Sequence, residues 1–449
     1  MSALRMWLWR CLAVAVVAAG VALAIPGTGH VPASSAASVP PRTPTSASCP
    51  RAVRGLGRIA LVAHGRVEVI NLAQCRVLVW QAPGASEVRF SPDGRWLAYG
   101  TVAPGNNPLG PVVIPADGRA GPARLPLGKA IVAWTWSKRG AVMYGVTTGG
   151  SLVAASPRGP RRTIASGVDT SNYGIDDPLA LSPNGELAAI DRSGCQPTAG
   201  ELDTVNLRTG ARTVVLRRPG SFFTLAGWSS DGRWLLYWVA SQCSGSLAAD
   251  GWPLEAIPAA GGTPVRVVPH MLLYDDYLSW CGSDLVAAAG PDRETNTGSK
   301  LLAAAARGWH AHTIDAARAL SWVSPACAPG GRVLAAAAGA NNAPAGFGQQ
   351  HRSIWLLRPD GAPLRRLSDP PAASLTDEAP RFSRDGRWVM FVRSQLTLPP
   401  GVGGTSRDTI ELVPRSGAGG AIPVISFTSG DISYYDHFDW PYEIDWYRR

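Results

Sequence analysis

Carboxylates recur along this sequence at a regular place. Glu87, Asp176 with Asp177, Asp275 with Asp276, and Asp377 with Glu378 each stand four to six positions ahead of a turn serine or its equivalent. Asp436 stands in the same way before Phe438-Asp-Trp440 near the C-terminus. If a repeating fold carries these positions to one place, they form an acidic rim on a chain whose net charge is +10. Clustered carboxylates coordinate a hard cation such as Ca²⁺, the one cofactor this pattern suggests, or they steer a basic partner. The structural alternative is that Asp favours such turns for its own hydrogen bonds and stays solvated.

Other chemistry is sparse. His310-Ala-His312 would place two imidazoles on one face of a strand, a pair that reads as ordinary surface. The nucleophile turn G-x-S-x-G does not occur, nor does a phosphate-cradling or dinucleotide-binding glycine pattern. Among the 42 basic residues lysine occurs only at Lys129, Lys138 and Lys300, a skew that a high-GC genome would produce. Arginines come singly or in pairs such as Arg217-Arg218, never in runs of five. Charge this diffuse speaks to solubility, so no nucleic-acid partner is expected.

The elements that must position the carboxylates follow from composition and repeats. Hydrophobic residues make up 46% of the 449 and charged residues 16%, which excludes a disordered chain. Fifty glycines and 38 prolines would interrupt long helices, which excludes a helical bundle. One segment returns again and again: Val88-Arg-Phe-Ser-Pro-Asp-Gly-Arg-Trp-Leu-Ala-Tyr99, Leu181-Ser-Pro-Asn-Gly-Glu, Trp228-Ser-Ser-Asp-Gly-Arg-Trp and Phe382-Ser-Arg-Asp-Gly-Arg-Trp. Degraded copies begin at Trp136, Trp280 and Trp322. A spacing of roughly 45 residues marks a repeat architecture.

Ser-Pro-Asp-Gly is a type I turn, with proline presetting φ and glycine relieving the fourth position. Apolar runs on both sides make it a hairpin. Two further β-rich runs follow most copies, such as Val265 to Val268. Four short antiparallel strands per repeat make a propeller blade. The chain therefore reads as all-β, a single propeller over 56–449 with seven or eight four-stranded blades, eight by literal count. Ile59 to Trp80 supplies about three strands without an entering one, and Tyr434 to Trp446 is left over at the other end. Pairing these ends would close the ring with a composite blade and remove exposed edges. The aromatic residue before each turn is expected to pack between neighbouring blades.

Arg5 and Arg10 precede an apolar run from Cys11 to Ile25, and Ala22-Leu23-Ala24 offers a cleavage site. Residues 1–25 read as a secretory signal or an N-terminal anchor, and 26–55 as a Pro/Ser/Ala-rich linker too polar to fold. Export leaves six cysteines: Cys49, Cys75, Cys195, Cys243, Cys281 and Cys327. Six cysteines allow fifteen pairings, and the repeats favour one. Cys195 and Cys243 follow the second strand of consecutive blades, while Cys281 and Cys327 follow the entering strand of consecutive blades. That leaves Cys49 for Cys75.

The anchor Phe/Trp-Ser-Pro-Asp-Gly-Arg-Trp-Leu-Ala-Tyr resembles the WD40-like, Asp-Pro-rich repeat of TolB-type propellers, over most of 56–447. The resemblance implies an exported, bacterial, non-catalytic propeller that binds a protein in the envelope or outside the cell. Its departures are three degraded anchors, more than six blades, and no α/β domain ahead of the propeller. The expected protein is monomeric and touches a membrane only through an uncleaved N-terminal segment. The competing expectation is a lyase- or lactonase-like enzyme with a metal-assisted site in the channel.

Overall fold

The computed structural model describes residues 47–103, 107–108, 110–125, 127, 130–168, 178–192, 200–240, 251–290, 299–314, 319–340, 351–396, 406–429 and 440–447. The four intact turns share one hydrogen-bond network. The Ser91 hydroxyl donates to Asp93 Oδ1 at 2.6 Å, and Asp93 Oδ1 accepts the Arg95 amide at 3.0 Å. The Trp96 amide donates to Ser91 Oγ at 3.0 Å. Asn184 substitutes for aspartate in the copy at Ser182, and the copies at Ser229 and Ser383 repeat the pattern with Asp231 and Asp385. All four serines are buried. Gly94 sits at φ +65°, the left-handed conformation the end of this turn requires.

These hairpins seed eight antiparallel sheets, seven of four strands and one with an additional two-residue strand. Blade 1 is composite. Its innermost strand is Ile444–Tyr447, and Arg58–Ala63, Arg66–Asn71 and Arg76–Gln81 lie successively outward. Arg58 pairs with Tyr447 and Leu61 with Ile444, which closes the ring. Blades 2 to 8 follow in chain order. Their innermost strands are Ala85–Phe90, Ile131–Trp136, Leu179–Leu181, Phe222–Trp228, Leu278–Cys281, Leu320–Cys327 and Leu375–Phe382. The outermost strand of blade 6, Ala311–Thr313 with His312, is exposed along its whole length. The protein is thus an eight-bladed β-propeller closed by its N- and C-terminal strands.

Two details of the expected register change. The closing strand is Ile444–Tyr447, beyond Phe438-Asp-Trp440. Trp440 instead opens a helical turn, Trp440–Glu443. Pro441 has no amide for a strand ladder but suits the first turn of a helix. In blade 7 the residue before the turn is Cys327, with Trp322 earlier on the same strand. Trp322 is fully buried and pairs with Ala338 of a strand whose Ala335 to Ala338 are all small. That flat surface leaves room for the indole.

The expected packing of the aromatic anchors is seen. Trp136 Nε1 donates to the Arg89 carbonyl of the preceding blade at 3.2 Å, and Trp228 Nε1 to the Ala180 carbonyl at 3.1 Å. Each indole therefore fills an inter-blade gap and satisfies its one donor there. Cys49 and Cys75 stand at disulfide distance with Cα atoms 5.5 Å apart, and Cys281 and Cys327 with Cα atoms 5.3 Å apart. Such pairs fit an oxidising, non-cytoplasmic compartment. The expected Cys195–Cys243 pair lies outside the described residues. Among the described residues no helix is long and apolar enough to cross a membrane.

Candidate functional site

The innermost strands of blades 2, 6, 7 and 8 meet around a central cleft of about 390 Å³, lined among others by Arg89, Asp275, Asp276, Ser324 and Arg381. Asp275 and Asp276 lie on a 3₁₀ turn, Asp275–Tyr277, just ahead of the blade 6 inner strand. The Ser324 hydroxyl of blade 7 donates to Asp276 Oδ2 at 2.6 Å. The Tyr442 hydroxyl donates to Asp275 Oδ2 at 2.7 Å, so the helical turn ahead of the closing strand reaches blade 6.

Two guanidinium groups line the same cleft. Arg381 is half-buried and donates to the Ile444 carbonyl at 2.7 Å and the Trp440 carbonyl at 3.1 Å. Burial, then the neighbouring Arg89 charge, pushes its pKa down to about 10. Arg89 donates to the Tyr442 carbonyl at 3.1 Å, and its guanidinium carbon lies 5.3 Å from the Tyr442 ring centre. Both arginines immediately precede the anchor aromatic of their repeat, in the shared triplet Arg-Phe-Ser. At the same position Thr135, Ala180, Gly227 and Ala326 are small. The sequence reading overlooked these arginines, and that contrast between repeats is the signal that marks them.

The backbone of the cleft is unusual as well. Ser324 (φ +49°) and Ala379 (φ +50°) are non-glycine residues in the left-handed region. Each precedes a proline within a bulge of its inner strand. Proline disfavours a compact conformation in the residue before it, so both bulges hold strain. They line the same cleft.

The remaining carboxylates are distributed differently from the expected rim. Glu87 sits half-buried at a bulge of the blade 2 inner strand, facing Gly100. A Cβ at Gly100 would lie 2.7 Å from Glu87 Oε1, so glycine leaves the space the carboxylate occupies. Asp377 is 0% exposed and takes two hydrogen bonds from Arg393, at 2.7 and 2.8 Å. Glu378 is bound by the buried Arg352 of blade 7 and by the Thr376 hydroxyl at 3.2 Å. This pair is bound into the interior, where its charge is neutralised by Arg393 on the adjacent strand and by Arg352 of blade 7. Asp176, Asp177 and Asp436 lie outside the described residues. Among the described residues no three His, Cys, Asp or Glu side chains stand close enough together to hold a metal ion.

No protein-family model and no curated protein matches the sequence. Similar solved structures include dipeptidyl peptidase 4 of Porphyromonas gingivalis, at 10% identity and a TM-score of 0.51. That match covers 83% of this chain and 60% of the peptidase. An oligogalacturonate lyase of Vibrio parahaemolyticus aligns at 11% identity and a TM-score of 0.47, over 85% of this chain and 100% of the lyase. A putative TolB of Agrobacterium tumefaciens aligns at 15% identity and a TM-score of 0.34, over 83% of this chain and 91% of that one. Likeness at these identities concerns the propeller fold alone.

Proposed function

We propose that this protein is an exported, non-catalytic propeller that serves as a binding scaffold in the cell envelope or outside the cell. Its site is the central cleft, with Asp275 and Asp276 as the ligand-facing carboxylates. Glu87, Asp176, Asp177 and Asp436 occupy the corresponding repeat positions. The observation that carries this reading is the juxtaposition of two carboxylates and two guanidinium groups around one cleft, contributed by blades 2, 6 and 8. Charges of both signs in one concave site suit a polar partner segment with its own charge pattern. The two left-handed residues beside them support the same location, since strain of this kind gathers at binding and switch regions.

The test is affinity capture from envelope extracts with the full chain carrying a C-terminal tag. A matched variant carries Asp176→Asn, Asp177→Asn, Asp275→Asn and Asp276→Asn. A protein retained by the wild type and lost by the variant is the expected outcome. Equal retention by both places the site elsewhere, and retention by neither counts against the scaffold.

A further inference from the structure

A second concave site lies away from the channel, between the outer parts of blades 7 and 8. Its volume is about 660 Å³, within the usual range for ligand pockets. Leu364 and Arg365 come from the outermost strand of blade 7, Pro363–Arg366, and Leu356 from the strand beside it. Arg387 and Arg415 come from two turns of blade 8, brought side by side when the Arg415 amide donates to the Arg387 carbonyl at 2.8 Å. No carboxylate lines this groove. Among the described residues none of its three arginines forms an ion pair.

Comparison between blades shows that the groove is not a by-product of the repeat. The same backbone hydrogen bond is made in other blades by the amides of Ala116, Leu207, Ala259 and Ala306. Only at Arg415 does this set carry a charge. Likewise Arg95, at the Arg387 position of blade 2, is tied to Asp93 at 2.7 Å. The glycines beside these arginines give them room. Gly417 sits at φ +73°, and a Cβ on it would lie 2.8 Å from Arg365 Nη1. Leu364 is 49% exposed, one of two large hydrophobic residues left in solvent among those described.

We propose that this groove binds an acidic peptide segment of a partner protein, in which an apolar side chain is flanked by Asp or Glu. Guanidinium groups without carboxylate partners pair with carboxylates in a two-pronged geometry. The exposed Leu364, over Leu356, offers the apolar anchor point. A sugar acid fits less well, because its several hydroxyls need both donors and acceptors and, besides the arginines, the lining side chains offer only the Trp388 indole N–H and the Ser416 hydroxyl. This site is independent of the channel reading.

The probe is a fluorescein-labelled hexapeptide, Glu-Glu-Leu-Phe-Glu-Glu, titrated against the full chain by fluorescence anisotropy. Binding is expected to weaken with salt. The triple variant Arg365→Gln, Arg387→Gln, Arg415→Gln should lose affinity by about a hundredfold, and Leu364→Ser by about fivefold. All four side chains are exposed, so folding should be unaffected, and far-UV circular dichroism checks this. The channel variant Asp275→Asn, Asp276→Asn should bind the probe like the wild type. Equal binding by the triple variant overturns the proposal, as does no binding by the wild type up to about 1 mM. Tighter, arginine-dependent binding of heparin fragments would overturn the peptide as occupant.

Discussion

Asp275-Asp276 and Asp377-Glu378 are the same sequence pattern at the same repeat position, yet they end in different surroundings. The first pair borders the central cleft and accepts hydroxyl hydrogen bonds from Ser324 and Tyr442. The second pair is interior and answered by Arg393 and Arg352. The difference comes from the neighbours. Arg393 lies directly across the ladder from Asp377. In blade 6 the opposing strand is Asp284–Ala289, whose residues after Asp284 are aliphatic. A carboxylate pair ahead of a turn thus becomes a structural anchor where it lies within the inner strand and meets arginines, as Asp377 and Glu378 do, and borders the cleft where it lies on a helical turn ahead of that strand, as Asp275 and Asp276 do.

Breaking this contrast begins with its strongest member. Arg393→Leu leaves Asp377 buried without its partner and should destabilise the fold by about 3–5 kcal/mol, read from chemical denaturation. Adding Asp377→Leu should restore most of that loss. By contrast Asp275→Asn should cost less than about 1 kcal/mol. Comparable losses at the two sites would erase the distinction.

A medium effect concerns Glu411, which faces Arg393 at 3.7 Å. Burial, followed by the repulsion of nearby Asp377, raises its pKa from 4.5 to about 7 against the attraction of Arg393. The folded state therefore holds this proton more tightly than the unfolded chain. The resulting stabilisation is complete below about pH 4.5 and is lost as pH rises through 7. Glu411→Gln should remove a decline of about 1–3 kcal/mol over that window. Thermal denaturation across pH 4–8 would show it, and an unchanged pH slope in the variant would falsify the assignment. An effect as small as that of Asp275→Asn is expected from Tyr442→Phe, about 0.5–1 kcal/mol, since one hydrogen bond to Asp275 is lost at an exposed edge.

The propeller was legible because its turn chemistry is local. Ser91, Asp93 and Gly94 contain the whole hairpin instruction within a few residues, and three further copies repeat it. The Cys281–Cys327 pair followed from equivalent positions in consecutive blades. The fate of the acidic pairs was not legible, because Arg393 and Arg352 are distant in sequence and become partners only once register and blade contacts are set. Trp322 misled for a related reason. In blade 7 the aromatic signal moved along the strand while Cys327 took the anchor position. Arg89 and Arg381 could have been found by aligning the repeats one residue ahead of the anchor.

The closing strand has a consequence in time. Residues 444–447 complete blade 1 by pairing with 58–61, so nearly the whole chain lies between the two halves of one sheet. Hairpins within each blade can form as the chain emerges, since their contacts are local. The ring cannot shut until its last strand arrives, and until then Arg58–Ala63 and the inner faces of blades 2 and 8 stand open. Newly made protein therefore passes through an open, sticky arc before becoming a ring, and anything that holds the segment around 444–447 holds that arc open.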